Sequence, residues 1–163
     1  PNLEFHEQLF PVRYRRWEMR QDAAGAGTYR GGTGVHYEAD ILLPATWSFR
    51  AEGLDTPSGY GVQGGKDGAV GEQWIAPTND TVFIPPKYGV RHLETARIIA
   101  ETPGGGGWGH PAERPVEAVL RDVRDGIVSP LAAELDYGVE ISEDGCTVNT
   151  EKTHALREKM RSR

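Results

Sequence analysis

Glycine placement constrains this sequence more than any other feature. Four consecutive glycines, Gly104 to Gly107, run into Trp108-Gly109, and a second rich segment spans Ala23 to Gly34. A third lies between Thr56 and Gly71. Glycine takes positive φ readily and lets backbones approach where a Cβ would intrude. There are 21 glycines and 11 prolines among 163 residues, without a collagen-like period or a polar low-complexity tract. That pattern reads as loops and tight turns, not disorder.

Two glycine motifs invite a nucleotide reading, and neither sustains it. Gly104-Gly105-Gly106-Gly107-Trp108-Gly109 satisfies G-x-G-x-x-G after a strand-like run. A dinucleotide fold needs a helix opening at the third glycine, whereas His110-Pro111 follows here and helical character starts only near Pro115. The expectation for Gly104, Gly105, Gly106, Gly107 and Trp108 is therefore a loop packed on other backbone or on a neighbouring subunit. Gly64-Gly65-Lys66-Asp67 resembles the end of a phosphate loop, but Tyr60 stands where the early glycine belongs. Asp67 stands where a magnesium-binding hydroxyl belongs, so there is no Walker A loop.

The spacing of apolar residues predicts an α+β fold, with mostly antiparallel strands in the first two-thirds and short helices and a hairpin at the C-terminal end. Val12 to Arg20 is rich in Tyr, Trp and Val, and Val35 to Ile41 alternates apolar and polar, the period of a half-buried strand. Trp47-Ser48-Phe49-Arg50 and Ala96 to Thr102 are further strand candidates, and Thr81-Val82-Phe83-Ile84 is stopped by Pro85-Pro86. Val116, Val119, Leu120 and Val123 make one stripe of a short helix, with Pro115 in its first turn and Gly126 at its stop. Ser129-Pro130 opens a second helix ending near Gly138. Val139-Glu140-Ile141 and Thr147-Val148 flank an Asp144-Gly145 turn, and Thr150 is placed to cap a last helix. The length suits a single domain over residues 1–163.

The formal charge of −6 argues against a nucleic-acid backbone as partner, although basic residues cluster in Arg13 to Arg20 and Arg157 to Arg163. A single cysteine, Cys146, excludes a disulfide framework and a thiolate metal cage. No apolar run approaches a membrane span, and the opening stretch is unlike a signal peptide. Cytoplasmic residence is the expectation. His36, Glu38 and Asp40 alternate on one strand face, a pattern that usually marks the solvated side and only rarely a metal set. Asp22 and Arg30 bracket the first glycine segment and are placed to pair across it. No metal ligands and no catalytic residues are assigned from the residues alone.

The order of segments carries a resemblance. Arg15 to Gly32 (RRWEMRQDAAGAGTYRGG) is similar to the hydantoinase B pattern of a strand leading into D-S-G-G-A-G-x-x-R-G-G. Ala100 to Pro111 (AETPGGGGWGHP) resembles that family's T-P-G-G-G-G-[YW]-G-[DN]-P. Glu113 to Ser129, Tyr137-Gly138-Val139 and the opening Asn2 to Pro11 continue it. Departures are Ala23-Ala24 where the pattern has Ser-Gly and Ala96 where Asp is usual. The resemblance implies the C-terminal part of a hydantoinase B-type protein, standing as a separate small subunit of a larger ATP-dependent enzyme and inactive alone. Of the activities in the family, it points first to a multi-subunit carboxylase of the acetophenone type, joining bicarbonate to a ketone. ATP-dependent opening of a cyclic amide, or a purely structural role, are the alternatives. ATP and a divalent metal are then expected on larger hydantoinase A-like and B-like subunits in a hetero-oligomer, with none bound by this chain. Trp17, Tyr29, Tyr37 and Trp47 are the interface candidates, because aromatics are favoured at buried interface centres.

Overall fold

The computed structural model describes residues 2–142 and 144–162. Glu143 beside the predicted turn, Arg163 at the end of the basic cluster, and Pro1 lie outside the described residues. The chain opens with a short helix, α1 (Leu3–Leu9), then strand β1 (Val12–Met19). β2 (Val35–Ile41) and β3 (Ala45–Arg50) follow, then β4 (Glu72–Pro77), β5 (Tyr88–Leu93) and β6 (Ala96–Glu101). A 3-10 turn at Pro111–Glu113 leads to α2 (Val116–Arg124), α3 (Pro130–Tyr137) and α4 (Thr150–Arg161).

Four strands form an antiparallel sheet in the order β1-β2-β6-β4, and β3 pairs with β5 in a separate antiparallel ribbon. Alternation in β2 decides the faces. Tyr37 and Ala39 stand opposite Trp17 and Tyr14 on one side and Ala100 and Ile98 on the other, so they share one face of the pleat. The ribbon covers half of that face: Phe49 and Leu93 pack with Ile75 and Ala96, joined by Trp47, Phe83 and Ile98. The opposite face carries His36, Glu38 and Asp40.

A second core lies among the helices. Val119 and Val123 of α2 meet Ala133 and Tyr137 of α3, with Val128, Val139 and Ile141. Ala26 of the first glycine segment belongs to the same cluster, which places the web against the helices. Caps follow local chemistry. The Ser129 side chain accepts from Ala132 N–H ahead of Pro130, and Gly138 closes α3 at φ 62°.

The two cores meet across the three glycine segments. The run 104–109 takes its hydrogen bonds from different neighbours in turn. Gly104 N–H donates to Ala69 O at 3.0 Å, Gly105 to Gly32 O at 2.9 Å, Gly107 to Lys66 O at 2.9 Å, and Trp108 to Tyr29 O at 2.9 Å. In return Gly105 O accepts from Gly25 N–H, and Gly107 O from Val62 N–H. The run is thus clamped between 23–34 on one side and 59–71 on the other. Such spacing leaves no room for side chains. A Cβ on Gly104 would press on Ala23 O, one on Gly106 on Tyr60 O, and one on Gly107 on Ala26 O.

Several expectations shift. Leu3–Leu9 forms a helix capped by the Asn2 side chain, an element that the sequence reading does not include. β4 and β5 are strands that the sequence reading does not include: β4 is short and ends in Pro77, and β5 carries Gly89. Thr81 to Ile84 makes only a bridge, Phe83 to Ile75, because Pro85-Pro86 deny it further donors. The predicted hairpin shrinks to the Ile141–Val148 bridge, turning through Gly145 at φ 68°. α4 is capped by Asn149, whose side chain accepts from Lys152 N–H, with Thr150 already inside the helix.

The glycine contacts predict a graded series. Gly106→Ala should cost about 3 kcal/mol or more, because the obstructing atoms are backbone and cannot swing aside. Gly105→Ala meets its first neighbour, Gly32 N, at 3.1 Å and should cost less. Gly126, in open space at φ 71°, should cost only about 1–2 kcal/mol on change to Ala, from conformational strain. Urea unfolding of the three variants checks the order, and equal losses would contradict the packing account.

Candidate functional surfaces around the glycine web

The web is bolted to the helices by a buried charge cluster. Asp122 of α2 is 7% exposed, and its Oδ2 accepts from Arg114 Nη2 at 2.8 Å. Arg30 Nε lies 3.2 Å from the same oxygen. Arg30 also donates to Gly31 O and Arg114 to Thr28 O, so both guanidiniums hold the first glycine segment. The expected Asp22–Arg30 pair does not form. Asp22, at φ 58°, instead accepts from Ser129 N–H at 2.7 Å through its carboxylate and donates its own N–H to Ile127 O, fixing the α2–α3 connection. Arg157 of α4 completes the cluster, donating to Tyr137 O and Arg114 O.

Two cations around one carboxylate leave the cluster short of acceptors. Arg114 Nε and the Tyr137 hydroxyl are buried without a hydrogen-bond partner, and Arg30 Nε meets Asp122 as an ion pair without forming a hydrogen bond. Burial pushes the Tyr137 phenol up to about 12. The chemistry of this cluster is that of a structural tie.

The face bearing His36, Glu38 and Asp40 is a network of ion pairs. His36 Nδ1 lies 3.2 Å from Glu101 Oε1, and its Nε2 lies 3.3 Å from Glu38 Oε1. Glu101 also pairs with Arg20 Nε at 2.9 Å. Asp40 sits between Arg97 at 2.7 Å and Arg15 at 2.6 Å, and the hydrogen bond from Arg97, backed by Arg15, holds its carboxyl below the usual carboxylate range. His36, Glu38 and Asp40 are part-buried, so this is not simply a solvated side. Among the described residues no group of three or more His, Cys, Asp or Glu is arranged to hold a metal ion. Lys66, at the phosphate-loop look-alike, is committed to Asp136 of α3 at 2.5 Å.

The four aromatic candidates separate into three places. Trp47 packs inside the ribbon-and-sheet core, with its indole N–H buried and unpartnered. Tyr29 meets Trp108 across the web, ring centroids 5.6 Å apart, and both are more than half exposed. Trp17 stacks on Tyr37 at 5.3 Å, beside Tyr14. These rings border an apolar groove of about 470 Å³ against α1, where the Tyr14 hydroxyl and His6 Nδ1 are 2.9 Å apart. His6 and Phe10 escape a sequence reading, because their part in the groove depends on the unforeseen helix.

Removing the carboxylate at the bolt should be severe. Asp122→Asn leaves two buried guanidiniums without their counter-charge and should cost about 3–5 kcal/mol in chemical denaturation. Tyr137 gives a pH test. A phenol raised by burial from 10.0 to about 12 leaves stability unaffected below pH 10 and lowers it as pH rises from there through about 12, where the unfolded chain ionises first. Tyr137→Phe should remove that alkaline loss and leave neutral stability unchanged or slightly higher, since an orphan hydroxyl disappears. An unchanged alkaline melting profile would refute the assignment.

Comparison with known proteins gives this geometry its kin. The family model described as Hydantoinase B/oxoprolinase matches residues 1–111. A protein named as the B component of a D-/L-hydantoinase, from Pseudomonas sp. (strain NS671), is 36% identical over 158 residues, covering 95% of this chain and 26% of its own length. The crystal structure of the ATP-dependent caprolactamase from Pseudomonas jessenii superimposes with a TM-score of 0.77 at 31% identity, over 96% of this chain and 28% of that one. The nucleotide-free structure of an acetone carboxylase aligns over 99% of this chain and 26% of its own, with a TM-score of 0.75. At 22% identity that likeness shows the fold alone. The chain therefore spans about a quarter of the length of the relatives it matches. It belongs to the hydantoinase B/oxoprolinase family.

Proposed function

We propose that this chain contributes a structural and assembly part to an ATP-dependent enzyme that opens a cyclic amide. The carrying observation is the alignment of nearly the whole chain with the B component of a hydantoinase and with an ATP-dependent caprolactamase, both at more than 30% identity. The substrates those names print are cyclic amides. Ketone carboxylation, the first reading of the sequence resemblance, draws support only from the acetone carboxylase fold. We rank it second, and an acetophenone-type substrate has no separate support.

The chemistry falls to other parts of the assembly in this reading. Several titratable groups of the chain are tied up in structural pairs, as at Asp122 and Asp40. ATP and a divalent metal belong, on this proposal, to larger hydantoinase A-like and B-like partners in the cytoplasm. Among the described residues no helix is long and apolar enough to cross a membrane.

The test is product analysis of the purified assembly. Incubated with ATP and either hydantoin or caprolactam, it should release phosphate together with a ring-opened acid, and this chain alone should do neither. Labelled bicarbonate fixed into a β-keto acid from acetophenone would favour the carboxylase instead. Full turnover by an assembly lacking this chain would remove it from the enzyme altogether.

A further inference from the structure

We propose that the outward edge of β1 receives an extended strand from the larger remainder of the hydantoinase B-type fold, with that strand's apolar side chains entering the groove beside Trp17 and Tyr37. The proposal rests on the reading of this chain as one part of a larger assembly, and not on which substrate that assembly uses.

The register identifies the free groups. Arg20 N–H donates to Gly34 O at 2.8 Å, and Glu18 and Arg16 stand opposite His36 and Glu38. Antiparallel alternation then gives these residues the bonds to β2 and turns the backbone of Trp17 and Met19 away from the sheet. A bulge between Tyr14 and Arg16 shifts the count by one, so Tyr14, opposite Ala39, also turns outward, and there the Glu7 carboxylate of α1 accepts its N–H at 2.6 Å. Val12 N–H is answered by Phe10 O at 2.7 Å. One half of the edge is thus covered from within, and the half from Trp17 to Met19 stands open among the described residues. The far edge is closed by other means. In β4, Ile75 exchanges both hydrogen bonds with Phe83, at 2.9 Å each, and the strand ends at Pro77.

The side chains beside the open half are unlike those of a guarded edge. Trp17 is 50% exposed and Met19 64%, while Arg16 and Glu18 pair with each other on the opposite face. α1 contains no buried residue, and Phe5, Leu9 and Phe10 each remain about half exposed. Phe10 lines the groove with Trp17 and Tyr37, an apolar surface beside unpaired backbone, and that arrangement templates strand addition unless it is covered. Relatives supply an occupant of the right size: the hydantoinase B component shares only 26% of its length with this chain. The groove's chief polar feature is the His6–Tyr14 contact, so the entering strand is uncharged on that side, with aliphatic or aromatic residues at alternate positions.

Amide hydrogen exchange, resolved to single residues, tests this in the isolated chain and in the purified assembly. The amides of Trp17 and Met19 should exchange freely in the isolated chain and at least about tenfold more slowly in the assembly. Met19→Pro removes an outward N–H and keeps the β1–β2 ladder, so the variant should fold and yet bind its assembly at least about tenfold more weakly. If that variant misfolds, Trp17→Lys, which places a charge at the groove, should weaken assembly in the same direction. Unchanged exchange of both amides on assembly would overturn the proposal. Protection that grows with concentration of the isolated chain would also overturn it, because a second copy would then fill the edge. Protection in an assembly that opens no cyclic amide would leave strand addition standing and remove only the proposed activity.

Discussion

Everything in this fold depends on backbone meeting backbone without side chains between. The run 104–109 is bonded to Ala69, Gly32, Lys66 and Tyr29 in succession, so its donors serve two different segments. In an ordinary sheet a strand has neighbours in one plane and side chains above and below. Here neighbours occupy the directions that side chains would take, and only glycine permits that. The buried amides of Gly104, Gly107 and Gly109 all find carbonyl partners, which is what lets polar backbone act as interior.

Such a web gains little from apolar burial, so its cohesion comes from elsewhere. The Asp122 cluster reaches from α2 to the first glycine segment through Arg30 and Arg114, and from there to α4 through Arg157. Arg20 does the same for the sheet, linking Glu101 to Val70 O and Thr102 O. Guanidinium groups suit this work, since one planar head can satisfy several carbonyls and a carboxylate together. Two small apolar cores are thereby joined through a polar middle.

Elements with a strong local signal were legible in the sequence. β2 carries four apolar residues in strict alternation, and α2 carries its stripe of Val116, Val119, Leu120 and Val123; both stand where the pattern put them. α1 was not legible because its helix is held by the Asn2 cap and buries nothing, leaving no periodic trace. Asp22 and Arg30 looked like partners by proximity, but each is directed to a residue about a hundred positions away, Ser129 and Asp122. Of the aromatic candidates, Trp47 could not be told from Trp17 by type or spacing. Only the placement of the β3–β5 ribbon, which covers one and leaves the other half exposed, distinguishes them. The bulk resemblance was carried by glycine order, since close approach ties those residues to one another.

The interlocking of distant glycine segments also has a consequence for how the chain acquires its shape. Gly25 can form its bond to Gly105, and Tyr29 its pair with Trp108, only after everything between them has been made and brought round. Contacts this far apart in sequence close slowly, because the loop entropy is lost before the bonds are gained. Glycine enlarges that loss, since each such residue surrenders more freedom than any other on becoming fixed. During synthesis the first glycine segment therefore emerges with its binding groups unoccupied and waits for the last. Until β6 and the glycine run behind it follow, the inner edge of β2 stays unpaired, the state of this protein most exposed to wrong pairing.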